Sequence, residues 1–188
     1  MNKQELFEYI ASQEEFLNHI SDSVWDNPET CYSEKVSSEI ICKALEEQGF
    51  HVEKGIAGIP TAFTGTFGHG KPVIGFLGEF DALSGLSQVA GATEKIAIHS
   101  GGNGHGCGHN LLGTGCLAAA IGLKEYLTES GKEGTVIFYG CPAEEGGGGK
   151  TFMAREGCFD HLDAAIAWHP GDAYGSSAGS TLANCQIY

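Results

Sequence analysis

Apolar and polar positions recur along the chain with two different periods. In residues 3–25, Leu6, Ile10, Leu17, Ile20 and Val24 lie close to helical spacing, which predicts one amphipathic helix. A second helix is predicted from Ser33 to Gln48. Ser33 is its candidate N-cap, Val36, Ile40, Ala44 and Leu45 form the apolar face, and Gly49 stops it. Short β-type runs follow: FHVEK, TAFTGTF and PVIGFLGEF. In the last, Val73, Ile74, Phe76 and Leu77 are nearly continuous, as in a strand buried on both faces.

From Ala82 to Gly108 the chain is rich in glycine and has no sustained period, so it reads as a long loop. Loops of that length in compact domains are usually functional or disordered. Asn110 is then a candidate cap for a helix running to about Thr128, whose small residues permit close approach to a sheet. GTVIFYG (134–140) reads as a buried strand, GGGGKTFMAREG as the opening of a helix, and DAAIAWH (163–169) as a further strand. This alternation predicts an α/β fold with a mostly parallel or mixed sheet flanked by helices. After His169, PGDAYGSSAGS reads as a linker and TLANCQIY as a strand just starting, as in a chain that continues into another unit.

Composition narrows the function without naming it. With 188 residues and 41% hydrophobic content, one ordinary core is expected. A net charge of −14 with no basic stripe argues against nucleic acid and against anionic membrane surfaces. The N-terminus, MNKQELFEYIASQEEF, has no signal-type apolar core, and no stretch nears the roughly 20 apolar residues of a membrane span. Seven cysteines without paired spacing predict reduced thiols and a cytoplasmic protein rather than a disulfide framework.

The chemically loaded positions are Asp81, His105, Cys107, His109, Glu144, Glu145 and His169. Asp81 ends one predicted strand, Glu144 and Glu145 follow another after a Cys-Pro-Ala turn, and His169 ends a third. The Cys/His loop NGHGCGHN enters a helix at Asn110. In an α/β sheet, loops leaving the carboxyl ends of the strands form the site. Four segments therefore deliver carboxylate, imidazole and thiolate to one sheet edge. That ligand set suits zinc and neighbouring divalent metals. Two adjacent glutamates cannot easily play one role, so one binds metal while the other holds or deprotonates water.

Blander readings exist for each element. A C-x-H in a glycine-rich loop also serves a simple turn, an EE pair is often solvated surface, and Asp81 also suits a turn or helix cap. The remaining histidines and most other cysteines fit structural roles. A phosphate-binding loop ending at Gly149-Lys150-Thr151 would need glycine at position 144, where Glu144 stands. A dinucleotide fingerprint would need glycine at Cys107 or His109. Cys107 also lacks a C-x-x-C partner for redox work.

The segments GEFDALSGL, NGHGCGHNLLGTG, GTVIFYGCPAEEGGGGKTFMAREG and DAAIAWHP together resemble the metal-dependent aminoacylase/carboxypeptidase superfamily. Within it they are similar to the amidohydrolase branch of hippurate and auxin-conjugate hydrolases, nearest to hydrolases of p-aminobenzoyl-glutamate. The resemblance implies a di-metal, phosphorylase/hydrolase-like exopeptidase fold. It implies two divalent ions, zinc or manganese, with Cys107 shared between them, His109 and His169 on one ion, and Glu145 on the other. Glu144 would be the general base, and Asp81 would orient a ligand. Glu79 stands where more distant relatives carry a metal-binding histidine, so the resemblance gives it no role, and His105 receives none. The implied substrate is a small N-acyl amino acid, with dipeptidase or deacylase chemistry or a non-catalytic fragment as alternatives. Residues 1–171 would form the N-terminal part of the catalytic domain. Residues 172–188 would lead toward a lid and dimerisation domain, and the full-length form would be a homodimer or pair with a related subunit.

Overall fold

The computed structural model describes residues 1–172 and 175. Its helices are α1 (Lys3–Ser12), α2 (Glu14–Trp25), α3 (Lys35–Glu47), α4 (His109–Ser130) and α5 (Gly149–Arg155). Its strands are β1 (His51–Lys54), β2 (Phe63–His69), β3 (Val73–Glu79), β4 (Gly134–Cys141) and β5 (Ala164–Ile166). The five strands form one sheet in the order β1-β2-β4-β3-β5. β1–β2 and β2–β4 are antiparallel, while β4–β3 and β3–β5 are parallel, so the sheet is mixed.

β4 explains why its run is continuously apolar. Val136 and Phe138 point into a core shared with Leu45, Phe63, Phe80, Leu112, Leu117 and Ile121. Ile137 and Tyr139, one residue out of phase, enter a second core with Ile59, Ala62 and Met153. Side chains alternate across a strand, so a strand covered on both faces has no polar phase left. Helices α1 to α4 cover the first face, and α5 with the segment after it covers the second.

Four expectations are corrected by tertiary contacts. The predicted helix over 3–25 is broken at Gln13, whose φ/ψ of −90°/8° leaves the helix. The break lets Leu6 and Ile10 of α1 pack at Gly122 of α4 while Ile20 and Val24 of α2 enter the core. Ser33 does not cap α3, which begins at Lys35. Instead the Glu29 carboxylate accepts the N–H groups of Val36 (3.0 Å) and Ser37 (2.8 Å). Asn110 lies inside α4 and donates to Ser21 Oγ, while the cap position belongs to Gly108, with φ of 75°. The strand expected over 163–169 shrinks to Ala164–Ile166, because Trp168 leaves the sheet and donates to Leu112 O of α4 at 3.0 Å.

The long loop folds back on itself, with Leu83 and Gly104 exchanging backbone bonds of 3.0 Å. It therefore returns beside the end of β3 before entering α4. The strand expected over 181–188 lies outside the described residues. No helix among the described residues is long and apolar enough to cross a membrane.

α4 lies close against β3 at Gly113, where an added Cβ would sit 2.6 Å from Glu79 O. That oxygen is backbone and cannot rotate away. Gly113→Ala is expected to cost about 1–3 kcal/mol through overpacking, read as a lower urea midpoint at unchanged m-value.

Candidate metal centre

The site is assembled at the carboxyl ends of the strands. β3 ends at Glu79, and Phe80 turns into the core, so Glu79 and Asp81 face the same side two residues apart. β4 ends at Cys141, and Pro142 and Ala143 lead from it to Glu144 and Glu145. Gly108 adopts a left-handed backbone that glycine tolerates best, and this places His109 as the first residue of α4. The Trp168 bond to α4 brings His169 over the same edge.

His109 is fully buried at the centre. Its Nδ1 lies 3.0 Å from Asp81 Oδ1. A carboxylate only accepts, so Nδ1 carries the proton, and in the neutral ring Nε2 is left as a lone pair. Nε2 lies 3.1 Å from Glu79 Oε2 and 3.8 Å from both Glu144 Oε2 and Glu145 Oε1. It is buried without a hydrogen-bond partner, as is Glu145 Oε1. Asp81 spends its other oxygen on the Glu145 backbone N–H at 2.9 Å. Lys150 pairs with Glu79 from the far side.

Beside this cluster, Cys107 Sγ lies 3.2 Å from His169 Nε2, and His169 Nδ1 donates to Pro170 O at 2.8 Å. The His109 and His169 rings meet edge to face, 5.8 Å between centroids. Two donor groups result, Cys107/His109/His169 and Glu79/His109/Glu144, each with its ligand atoms within 4.8 Å of one another. In this geometry His109 is common to both groups, whereas the family resemblance implies sharing through Cys107.

Burial and neighbouring charge shift the titration of His109, Asp81, Glu144 and Cys107. Burial opposes charging of His109, but Asp81, Glu79 and Glu145 outweigh it and raise its pKa. Burial would raise Asp81, but His109 and the Glu145 N–H hold its pKa below the usual range. Burial and the Glu79 charge raise the pKa of Glu144, with Lys150 pulling the other way. Burial, then Glu145, Glu144 and Glu79, push the Cys107 thiol up to about 12. A divalent cation reverses this logic, since coordination favours the thiolate and the neutral imidazole. Buried orphan nitrogen and oxygen atoms amid thiol and carboxylates fit such an ion.

The structure brings together Asp81, Cys107, His109, Glu144, Glu145 and His169. His105 stands apart, its Nε2 3.0 Å from Val24 O. Two contributors escape a motif reading, Glu79 and Lys150. Glu79 had one legible signal, its i, i+2 spacing to Asp81 on a strand end. Lys150 had none beyond its place in a glycine-rich run.

Residues 75–182 match the model of peptidase family M20/M25/M40. The chain belongs to this family. It is 52% identical over 188 residues to a p-aminobenzoyl-glutamate hydrolase subunit of Escherichia coli strain K12, covering 97% of this chain and 39% of that protein. A crystal structure from methicillin-resistant Staphylococcus aureus superposes with a TM-score of 0.73 at 26% identity, over 89% of this chain and 42% of that one. A Bacillus subtilis protein, described as a dinuclear metal binding peptidase of the M20 family, shares the fold with a TM-score of 0.68 at 22% identity. That match covers 84% of this chain and 44% of the other. The chain thus spans about two fifths of the length of the curated relatives it matches.

The Asp81–His109 pair makes a pH prediction for the metal-free protein. His109, raised above its ordinary 6.5, adds stability below 6.5 that fades as pH climbs through the raised value. Asp81, lowered from 3.8, adds stability above 3.8 that is lost as pH falls through the lowered value. The destabilisation caused by Asp81→Asn is therefore expected to peak between 3.8 and 6.5, in denaturation curves taken across pH. An equal loss at every pH would contradict the pairing.

Proposed function

We propose that this chain carries the metal-binding part of an M20 amidohydrolase that cleaves the amide bond of an N-acyl amino acid. The observation that carries the reading is the buried His109 Nε2, which makes no hydrogen bond and faces the carboxylates of Glu79, Glu144 and Glu145. A substrate resembling p-aminobenzoyl-glutamate is supported by the 52% identity to the Escherichia coli protein. Residues 1–171 are read as the N-terminal part of the catalytic domain and residues 172–188 as the lead into a lid.

Cys107, His109, His169 and Glu145 are the proposed ligands of two divalent ions, zinc or manganese. Bound ions supply a Lewis acid for the scissile carbonyl and acidify water near neutral pH. Asp81 holds His109 Nδ1 and fixes which nitrogen faces the ion, the usual office of a carboxylate behind a histidine ligand. Glu144 takes a proton from the attacking water on its carboxylate and returns it to the nitrogen of the leaving amine. Its raised pKa suits that exchange, because a base works best when its pKa approaches the working pH.

The full-length form is proposed to act as a homodimer or with a related subunit, since the Escherichia coli relative is named as one subunit of its hydrolase. A cytoplasmic location is supported by the free state of the described cysteines.

Metal analysis and hydrolysis assays on the reconstituted full-length protein test the proposal. Glu144→Gln is expected to keep its metal and lose turnover by about 10²–10⁴-fold, and retained turnover removes Glu144 from the base role. Glu145→Gln is expected to lose metal first. A protein that takes up no divalent ion after reconstitution refutes the metal reading.

A further inference from the structure

The proposed base has little to hold it in place. The Glu144 carboxylate is 42% exposed, and its ion-pair contact among the described residues is His109 Nε2, at 3.8 Å. Its direction is therefore set by the backbone of the turn at residues 143–148. That turn is strained at its entrance, where Ala143 takes a left-handed φ of 58°, which L-residues disfavour.

The segment between α2 and α3 grips this turn on both sides. Glu34 is fully buried. Its Oε1 accepts the Ala143 N–H and the Tyr32 N–H, each at 2.9 Å, and its Oε2 accepts Thr61 Oγ1 at 3.0 Å. Tyr32 has a left-handed φ of 60°, and its hydroxyl donates to Gly147 O at 2.6 Å. Its ring covers Gly147 so closely that an added Cβ would lie 2.9 Å from Tyr32 Cε2. One bond falls on residue 143 and the other on residue 147, straddling both glutamates. The same segment reaches the Asp81 turn, since Glu29 O accepts the Ala82 N–H at 2.8 Å. Glu34 stands at the N-cap position of α3, but its side chain makes no cap bond there, because the Glu29 carboxylate takes the Val36 and Ser37 N–H groups.

We propose that Tyr32 and Glu34 are positioning residues that clamp the Glu144–Glu145 turn against the Asp81–His109 pair. The inference rests on the hydrolase reading above. Without the clamp, Ala143 relaxes from its left-handed backbone and Glu144 swings away from the attacking water. Glu145 is held separately by Asp81, so loss of the clamp falls mainly on Glu144.

The test uses full-length, metal-loaded enzyme. Tyr32→Phe is expected to lower kcat about tenfold and Glu34→Ala about 10²-fold, the scale of a misplacement near one ångström, with KM and metal content unchanged. Amide hydrogen exchange at residues 143–147 should accelerate in both variants while α4 stays protected. Glu34→Gln is expected to restore both readouts. Its amide oxygen replaces Oε1, its NH₂ donates to Thr61, and burial already raises the Glu34 pKa. Variants matching an active wild type in kcat overturn the clamp alone, as does a glutamine variant as damaged as the alanine one. Should Glu34→Ala fail to fold, Tyr32→Phe decides. A wild-type holoenzyme without turnover overturns the hydrolase reading and this inference with it.

Discussion

A single buried charge organises this molecule. Asp81 is almost wholly inaccessible, and its two oxygens serve different elements, His109 Nδ1 at the start of α4 and the Glu145 N–H after β4. Burying a carboxylate is tolerable only when its oxygens are paired, so the bonds fix β3, α4 and the β4 turn relative to one another. They also determine what faces the site. With Nδ1 committed to Asp81, the remaining nitrogen of His109 must look toward Glu79, Glu144 and Glu145. Four carboxylates then surround one imidazole, with Lys150 as the compensating ammonium at Glu79. In a partly desolvated setting such an excess of negative charge favours a bound cation.

The topology makes this convergence possible. β3 and β4 are adjacent and parallel, so their carboxyl ends emerge side by side. The chain between them must then cross back, and α4 does so with its N-terminus at the same edge. That terminus presents the positive end of the helix dipole to the carboxylates. Gly113 allows the helix to lie near enough for His109 to reach both Asp81 and Glu79, which ties packing at the sheet directly to ligand geometry.

What could be read in advance follows the range of the interactions. The uninterrupted apolar runs of β3 and β4 are local signals of burial on both faces, and both strands lie where those runs fall. Cys107, His109, Glu144 and Glu145 sit in glycine-rich exits beside such runs, so their gathering was legible too. The break at Gln13 was not, because it answers to α4, more than a hundred residues away. Ser33 and Asn110 are good caps by type, yet once the neighbouring elements are packed Glu34 and Gly108 hold the cap positions and the Glu29 carboxylate takes the first N–H groups of α3. Glu34 and Tyr32 touch residues 109 and 115 positions further on, contacts that leave no periodic trace. Glu79 falls between these cases: its spacing to Asp81 was visible, but its value depends on where His109 arrives.

The adjacent glutamates show how environment separates two identical groups. Glu145 has its backbone tied to Asp81, its side chain only 20% exposed, and one oxygen buried without a partner. Such an oxygen is costly unless something positive meets it, which is what a ligand site offers. Glu144 keeps 42% of its side chain exposed and has its pKa raised, first by burial and then by Glu79. That combination is consistent with the proposed proton-carrier role, since such a group must meet water and substrate and release the proton again. In this chain the difference in exposure follows from backbone: Asp81 secures residue 145, while the left-handed Ala143 turns residue 144 outward.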